Sequence, residues 1–322
     1  MHFGISVIIC CYNSAWVIAR TLEGLKKQSF SSPIPYEIIL VDNCCTDNTV
    51  EIAKDTMRDS GIEFQIIKEQ KPGLVYARRR GIREAKYGYT IYCDDDNILC
   101  PTYVSTMANI LATKPDVGAA GGKGVAEFCA EPAEIVNENL GCYAIGSQLE
   151  NEDWLFGAGL AVRTDVVRNI YDNQRCYMMG RQGQKLLSGD DSELVMSIVL
   201  RGYRIFATDE ITFTHVLKAE RLTEEYFHRL HKGLMLPQPA FSVMRAAMKG
   251  TEFKDAISYY LYFTKRYIKY SILWWKPNAQ NKRNVAYKEI EPFIYWGIPK
   301  LYVIYRQWVN LKKKNSRTLT LL

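Results

Sequence analysis

The 322-residue chain contains no Cys-x-x-Cys pair, only 4 His and no uncharged apolar run of 18 residues. Each absence excludes something. Without paired cysteines at metal-ligand spacing, a zinc ribbon or finger is not expected. Without a long uncharged apolar run, neither is a membrane-spanning helix. The start, Met1-His2-Phe3-Gly4, has no basic region or cleavage signal, so no signal peptide is expected and the cytoplasm is the expected location. The nine cysteines (10, 11, 44, 45, 93, 100, 129, 142 and 176) are odd in number and include two neighbouring pairs. That argues for small buried thiols in a reducing compartment rather than a disulfide framework. With 21 Gly, 11 Pro, 48% hydrophobic and 24% charged residues, collagen, coiled coil and disorder are excluded. No internal repeat or low-complexity segment is present.

Charge and aromatic residues are unevenly spread. Residues 241–322 hold 16 Lys/Arg against 4 Asp/Glu and 17 of the 39 aromatic side chains, although the whole chain carries only +6. At about 150 residues per domain, one large or two smaller domains are expected. The composition changes from about residue 241, and the chain is expected to divide into a main domain, 1–235, and a helical segment, 236–322.

The first hundred residues alternate between short apolar runs and helical stretches. Ile5–Cys10, Tyr36–Asp42, Phe64–Ile67 and Tyr89–Cys93 read as strands, and the stretches near 15–28, 46–58 and 74–86 as helices. This order predicts an α/β fold with a mostly parallel central sheet flanked by helices. Asn13 or Ser14 is expected to cap the first helix. Further strands are expected near 117–124 and 203–208, and a helix from Ser192 to Arg201, stopping at Gly202. His215 follows the second of these strands.

In such sheets, ligands bind beyond the carboxyl ends of the strands. Those ends are polar here: Tyr12-Asn13, Asp42-Asn43 and Asp94-Asp95-Asp96-Asn97. In extended chain Asp94 and Asp96 would share a face and could hold a hard divalent cation; a solvated acidic turn is the other reading. Asp42 serves equally as a helix cap or as an acceptor for nucleobase or ribose donors. Arg78, Arg79 and Arg80 are either a solvated face or a pyrophosphate site. Asp190-Asp191 fits a helix N-terminus, where carboxylates are stabilised, and also a general base. Gly157-Ala158-Gly159 would let a flat acceptor approach the backbone.

Taken in order, five segments resemble family-2 glycosyltransferases with the GT-A fold. They are Ser6–Ser14, Ile39–Thr49, Gly73–Ile82, the DXD-like Asp94-Asp95-Asp96 and the acidic Gly189-Asp190-Asp191-Ser192-Glu193-Leu194. The resemblance covers residues 5–235. It implies an inverting transfer of a sugar from a nucleotide-diphosphate donor, most simply a UDP-sugar. Cys11, Tyr12, Asn13, Asp42, Arg78, Asp94 and Asp95 would lie on the donor side. Asp191 would be the base with Asp190 beside it, and Trp154, Gly157 and Gly159 would lie on the acceptor side. Asp96 and His215 would hold Mn2+ or Mg2+. Cys10-Cys11 replaces the family's usual Pro and Thr, and Arg79 its usual Asn. The Gln-x-x-Arg-Trp segment of processive synthases is missing, which favours one sugar added per binding event. The implied acceptor is a glycan or lipid-linked saccharide of the kind used in surface polysaccharide assembly. Two other readings are a sugar nucleotidyltransferase and a non-catalytic scaffold of the same fold.

The C-terminal segment mixes Tyr, Trp and basic residues, which suits peripheral attachment to the inner face of the cytoplasmic membrane. Lys265, Arg266 and Lys269 interrupt it too centrally for a span. Packing on the catalytic domain or on a second copy of the chain is the alternative. Nucleic acid is not an expected partner, because the acidic strand ends would repel phosphate.

Overall fold

The computed structural model describes residues 2–182, 186–276 and 278–319, with side chains through 315. It divides into two compact units, Met1–His231 and Lys232–Leu322.

The first unit opens with β1 (His2–Cys11), α1 (Ile18–Lys26), β2 (Tyr36–Asp42), α2 (Thr49–Met57), β3 (Glu63–Lys68), α3 (Leu74–Glu84) and β4 (Tyr87–Asp94). Next come β5 (Asn97–Leu99), α4 (Tyr103–Thr113), β6 (Val117–Phe128), α5 (Glu134–Asn137), β7 (Leu160–Arg163), α6 (Thr164–Asn173), α7 (Asp190–Leu200) and β8 (Arg204–Leu217). The strands form a mixed eight-stranded sheet in the order β3-β2-β1-β4-β7-β6-β8-β5. β1 pairs in parallel with β2 and β4, as does β2 with β3 and β6 with β8, whereas β7 and β5 pair antiparallel.

The central strands are apolar on both faces because helices cover both. Side chains of a strand alternate between faces, and the two cores show it. Ile5, Val7, Ile9 and Cys11 of β1 join a core with Leu22, Leu25 and Met107. Ile8 points the other way, into a core with Ala77, Ile82 and Val195. Gly81 lets α3 approach this second face, since a Cβ there would stand 2.5 Å from Ile8.

Three local expectations are corrected. α1 begins at Ile18 without a side-chain cap, because the Asn13 side chain is engaged with the next loop and the Ser14 carbonyl accepts from Val17 and Ile18. The chain does not stay extended through the acidic run: it turns at Asp95-Asp96 into β5, so alternation does not reach Asp96. His215 lies within β8 rather than after it. The polar Asp209-Glu210 pair reads as a break, yet the strand passes through a register shift opposite Gly121/Lys123 and resumes, bringing His215 opposite Ala126.

The second unit holds the end of α8 (Glu224–Met235), then α9 (Gln238–Lys249), α10 (Lys254–Ile272), α11 (Ala279–Trp296) and α12 (Ile298–Leu319). Phe241, Val243, Met244, Ile290, Phe293, Ile304 and Trp308 bury a small core of its own. Arg266 pairs with Glu289 at 2.8 Å, and Tyr260 and Phe263 pack on Phe293, which joins α10 to α11. Among the described residues no helix is long and apolar enough to cross a membrane. All nine cysteines are free thiols.

Candidate active site

Parallel register brings the polar strand ends together. Cys11 of β1 lies opposite Asp42 of β2, and Cys10 lies opposite Asp94 of β4. The loops beyond them are tied by side-chain hydrogen bonds. Asp42 Oδ1 accepts from the Cys45 N–H at 2.9 Å, and Asn13 Oδ1 accepts from the Thr46 N–H at 2.8 Å. Asn43 Oδ1 accepts from the Gly73 N–H at 2.8 Å, while its Nδ2 donates to the Lys71 carbonyl. Asp42 is thus a loop-capping residue whose carboxylate lies at the floor of the edge. Tyr12 stands half exposed above it. The Cys11 side chain points into the core, and its carbonyl accepts from the Asn43 N–H, so Cys11 offers no surface here.

The three acidic residues after β4 face three different partners. Asp94 Oδ1 lies 3.6 Å from the Arg78 guanidinium. Asp95 Oδ2 accepts from the Ser14 hydroxyl and the Tyr12 N–H; burial, with Asp96 next to it, pushes its carboxyl up from the usual range. Asp96 Oδ2 accepts from Arg221 Nη1 at 2.7 Å and lies 3.3 Å from His215 Nε2. Burial raises the Asp96 carboxyl, but His215 and Arg221 outweigh it and hold the group well below the usual carboxylate range.

A second acidic group arrives from α7. Gly189 adopts a left-handed φ of 99° and turns the chain into the helix, whose first residues are Asp190 and Asp191. Arg78 Nη1 donates to Asp190 Oδ2 at 2.8 Å. Asp191 accepts from the Gly157 N–H at 3.1 Å and the Ser192 N–H at 2.7 Å. Burial pushes the Asp190 carboxyl up, with Arg78 opposing and Asp191 adding to the rise. Burial would lower the Arg78 group, yet Asp190 and Asp94 keep it charged. The guanidinium, 3% exposed, lies over the Tyr92 ring.

The residues expected on the acceptor side separate. Gly157 belongs to the site: a Cβ there would stand 2.6 Å from Arg78 Nη2 and 3.1 Å from Asp191 Oδ2. Trp154 is partly exposed and sits edge-on to Phe156. Gly159 turns to the core, where Tyr103 donates to its carbonyl at 2.9 Å and would collide with a Cβ. Its glycine is explained by packing rather than by an approaching acceptor.

The sequence pattern assigns no role to two site residues, Glu193 appearing there only as part of the acidic segment. Arg221, on a 3-10 turn (Ala219–Arg221), reaches Asp96 across 125 positions. Glu193, one turn into α7 and 1% exposed, accepts from the Tyr177 and Met178 N–H groups and fixes the segment beside Asp190.

A divalent metal fits this donor set. His215 Nδ1 lies 2.7 Å from the Tyr143 carbonyl, an acceptor that orients the ring and turns Nε2 toward the Asp96 carboxylate, as in a metal-binding histidine. Nε2 and Asp96 Oδ2 stand 3.3 Å apart, a hydrogen-bond distance that is also the spacing of two ligands on one ion. Among the described residues no group of three or more His, Cys, Asp or Glu could hold a metal, so further ligands would come from substrate oxygens.

The sheet and its acidic carboxyl edge define an α/β fold of the GT-A type. Residues 6–142 match the profile of glycosyl transferase family 2. Over that region, less than half of its length, the chain is similar to family-2 glycosyltransferases. It is 23% identical over 262 residues to a dolichyl N-acetyl-alpha-D-glucosaminyl phosphate 3-beta-D-2,3-diacetamido-2,3-dideoxy-beta-D-glucuronosyltransferase from Methanococcus voltae, covering 76% of this chain and 77% of that one. Further curated relatives match over less, the chain spanning 17% of one and 43% of another. Its fold is similar to S. aureus TarS 1-349 in complex with UDP-GlcNAc, with TM-score 0.53, 16% identity and coverage of 91% and 92%. It is also similar to the mannosyltransferase PcManGT from Pyrobaculum calidifontis in complex with GDP-Man and Mn2+, with TM-score 0.54, 15% identity and coverage of 98% and 85%.

Proposed function

We propose that the chain transfers one sugar, with inversion, from a nucleotide-diphosphate sugar to a glycan or lipid-linked saccharide, with UDP as the leading donor nucleotide. The carrying observation is that one buried guanidinium, Arg78, bridges Asp94 on the donor side and Asp190 beside the base. Donor and acceptor chemistry thus meet at one point.

Asp191 takes the proton of the acceptor hydroxyl as its oxygen bonds to the anomeric carbon. The bond from that carbon to the diphosphate oxygen breaks, and the nucleoside diphosphate leaves with the electron pair. Gly157 N–H and Ser192 N–H orient the Asp191 carboxylate during this step. Arg78 and Asp190 hold the helix start in place, and Asp42 and Tyr12 form the nucleoside end of the edge. Asp96 and His215 would hold Mn2+ or Mg2+, which supplies charge stabilisation for the departing diphosphate.

The relative from Methanococcus voltae carries a dolichyl phosphate substrate in its name, which supports a lipid-linked acceptor. The second unit supports a membrane-surface location. On α10, Leu261, Tyr262, Lys265, Ile268, Lys269 and Ile272 lie exposed at helical spacing, and Trp274 and Trp275 follow, 62% and 70% exposed. Aromatic, aliphatic and cationic groups on one face suit an anionic bilayer. On this reading, 1–235 is catalytic and 236–322 docks the enzyme to the cytoplasmic face.

The test is thermal stabilisation by UDP, GDP, CDP and TDP with and without Mn2+, beside Asp96→Asn. A ligand at 100 times its Kd adds about 2.7 kcal/mol. A Mn2+-dependent shift with one nucleotide, lost in the variant, is expected. Asp191→Asn should keep the shift and lose transfer by 10²-fold or more. Retained transfer in that variant removes Asp191 as the base, and no shift with any nucleotide overturns the donor reading.

A further inference from the structure

We propose that Arg221 is the resident counter-cation of the Asp96–His215 pair, and that a divalent metal entering the site displaces it. The inference rests on the assignment of Asp96 and His215 as metal ligands. It adds a residue that exchanges with the metal.

The geometry is that of a shared position. Arg221 Nη1 is 2.7 Å from Asp96 Oδ2 and 3.4 Å from His215 Nε2, so a single nitrogen stands against both. Two ligands bound at about 2.1 Å to one ion stand roughly 3.0–3.5 Å apart for octahedral to tetrahedral angles. The oxygen and nitrogen here are 3.3 Å apart. The pair is therefore already spaced for an ion, and a guanidinium nitrogen stands against both members, completing a triangle of 2.7, 3.3 and 3.4 Å.

Burial gives the arrangement its reason. The side chains of Asp96 and Arg221 are each 13% exposed and that of His215 is 7% exposed. A buried carboxylate without a counter-charge is strongly destabilising, so an empty site needs some other cation. Arg221 supplies one from within the chain. Its backbone is pinned while its side chain is long. The Arg221 N–H donates to the Lys218 carbonyl at 2.9 Å, and the Tyr143 hydroxyl donates to the Arg221 carbonyl at 3.1 Å. The carbonyl of the same Tyr143 accepts from His215 Nδ1. One buried tyrosine thus fixes both the ligand and the turn that carries its competitor, so the exchange would have to shift the guanidinium, which packs over the Tyr226 ring, and not its backbone. Metal in and guanidinium out keeps a cation against Asp96, divalent in place of monovalent. The released guanidinium, a bidentate phosphate binder by its planar fork, stays tethered beside a site that takes diphosphate.

Mn2+ binding to the full chain, read from the electron paramagnetic resonance of the free ion, tests this without relying on turnover. Arg221→Gln is expected to bind Mn2+ alone at least 10-fold more tightly than wild type, and to gain more in Tm from it. Arg221→Lys, which keeps a charge on a single nitrogen, should fall between the two and serves if the glutamine variant does not fold. Asp96→Asn should abolish tight binding in every background. Weaker or unchanged Mn2+ affinity in Arg221→Gln overturns the exchange and makes Arg221 a positioning residue. A wild type and Arg221→Gln that both ignore Mn2+ while binding a nucleotide sugar overturn it too, with Arg221 then a permanent substitute for the ion. Nucleotide binding is measured separately, so that its failure counts against the donor site and not against the exchange.

Discussion

Arg78 Nη1 donates to Asp190 Oδ2 at 2.8 Å across 112 positions of sequence, joining α3 to the first residue of α7. Both side chains are nearly inaccessible, at 3% and 9%. Breaking a buried pair by removing one partner costs about 3–5 kcal/mol, because the other charge is left without compensation. Arg78→Met should therefore lose about that much stability in urea denaturation. Arg78→Lys should lose less, since it keeps the charge but cannot reach Asp190 and Asp94 together. A loss below about 1 kcal/mol for the methionine variant would show that water or another cation replaces the guanidinium.

Gly157 offers a test that separates placement from folding. It does not need a left-handed backbone, so alanine there is not strained by φ. The obstacle is local: the new Cβ would crowd Arg78 Nη2 and the Asp191 carboxylate. Displacement of a base by about 1 Å costs on the order of 10²-fold in rate. Gly157→Ala should lower kcat by about that factor while leaving the far-ultraviolet circular dichroism unchanged. Wild-type kcat would mean that Asp191 is not held to its task by this contact.

Much of this edge was legible in the sequence for a physical reason. Asp42, Asp94 and Asp191 sit where apolar strand runs end or where a helix starts, and topology then brings those ends together. The side-chain engagements were not legible. Cys11 turned out to face the core, and Gly159 answers to Tyr103, because which side of a loop residue meets solvent depends on distant packing. The strand pattern ends at Thr208, and nothing local shows that β8 runs on through Asp209-Glu210 to His215. Arg221 gave no signal at all: its partners lie on β4's turn and on β8, and nothing near it in sequence marks a basic residue that pairs inward.

Glu193 makes a pH-dependent contribution whose sign follows from its surroundings. Burial pushes its carboxyl up to about 7, and the Tyr177 and Met178 N–H bonds only partly oppose this. Because the folded value lies above the unfolded one, the native state binds the proton more readily. The resulting stabilisation is full below about pH 4.5 and is lost as pH rises through about 7. Glu193→Gln keeps an oxygen for the two N–H groups and removes the titration. The stability difference, wild type minus variant, should therefore fall steadily between pH 5 and pH 8 in urea denaturation. A flat difference across that range would place the carboxyl at its ordinary value.

The exposed face of α10 makes the location of the enzyme measurable. Lys265 and Lys269 lie on it among Leu261, Tyr262, Ile268 and Ile272. Each Lys or Arg near an anionic bilayer contributes about 1 kcal/mol. Replacing both lysines by glutamine should lower partitioning onto phosphatidylglycerol vesicles by roughly 30-fold, and raising the salt should weaken wild type more than this variant. Trp274→Ala with Trp275→Ala should weaken binding at any salt, since those rings act through burial at headgroup depth. Phosphatidylcholine vesicles should hold the wild-type chain poorly, because only the apolar contribution remains. Equal partitioning onto both vesicles, or none onto either, would assign this face to a protein partner and leave the acceptor to be sought among soluble glycans.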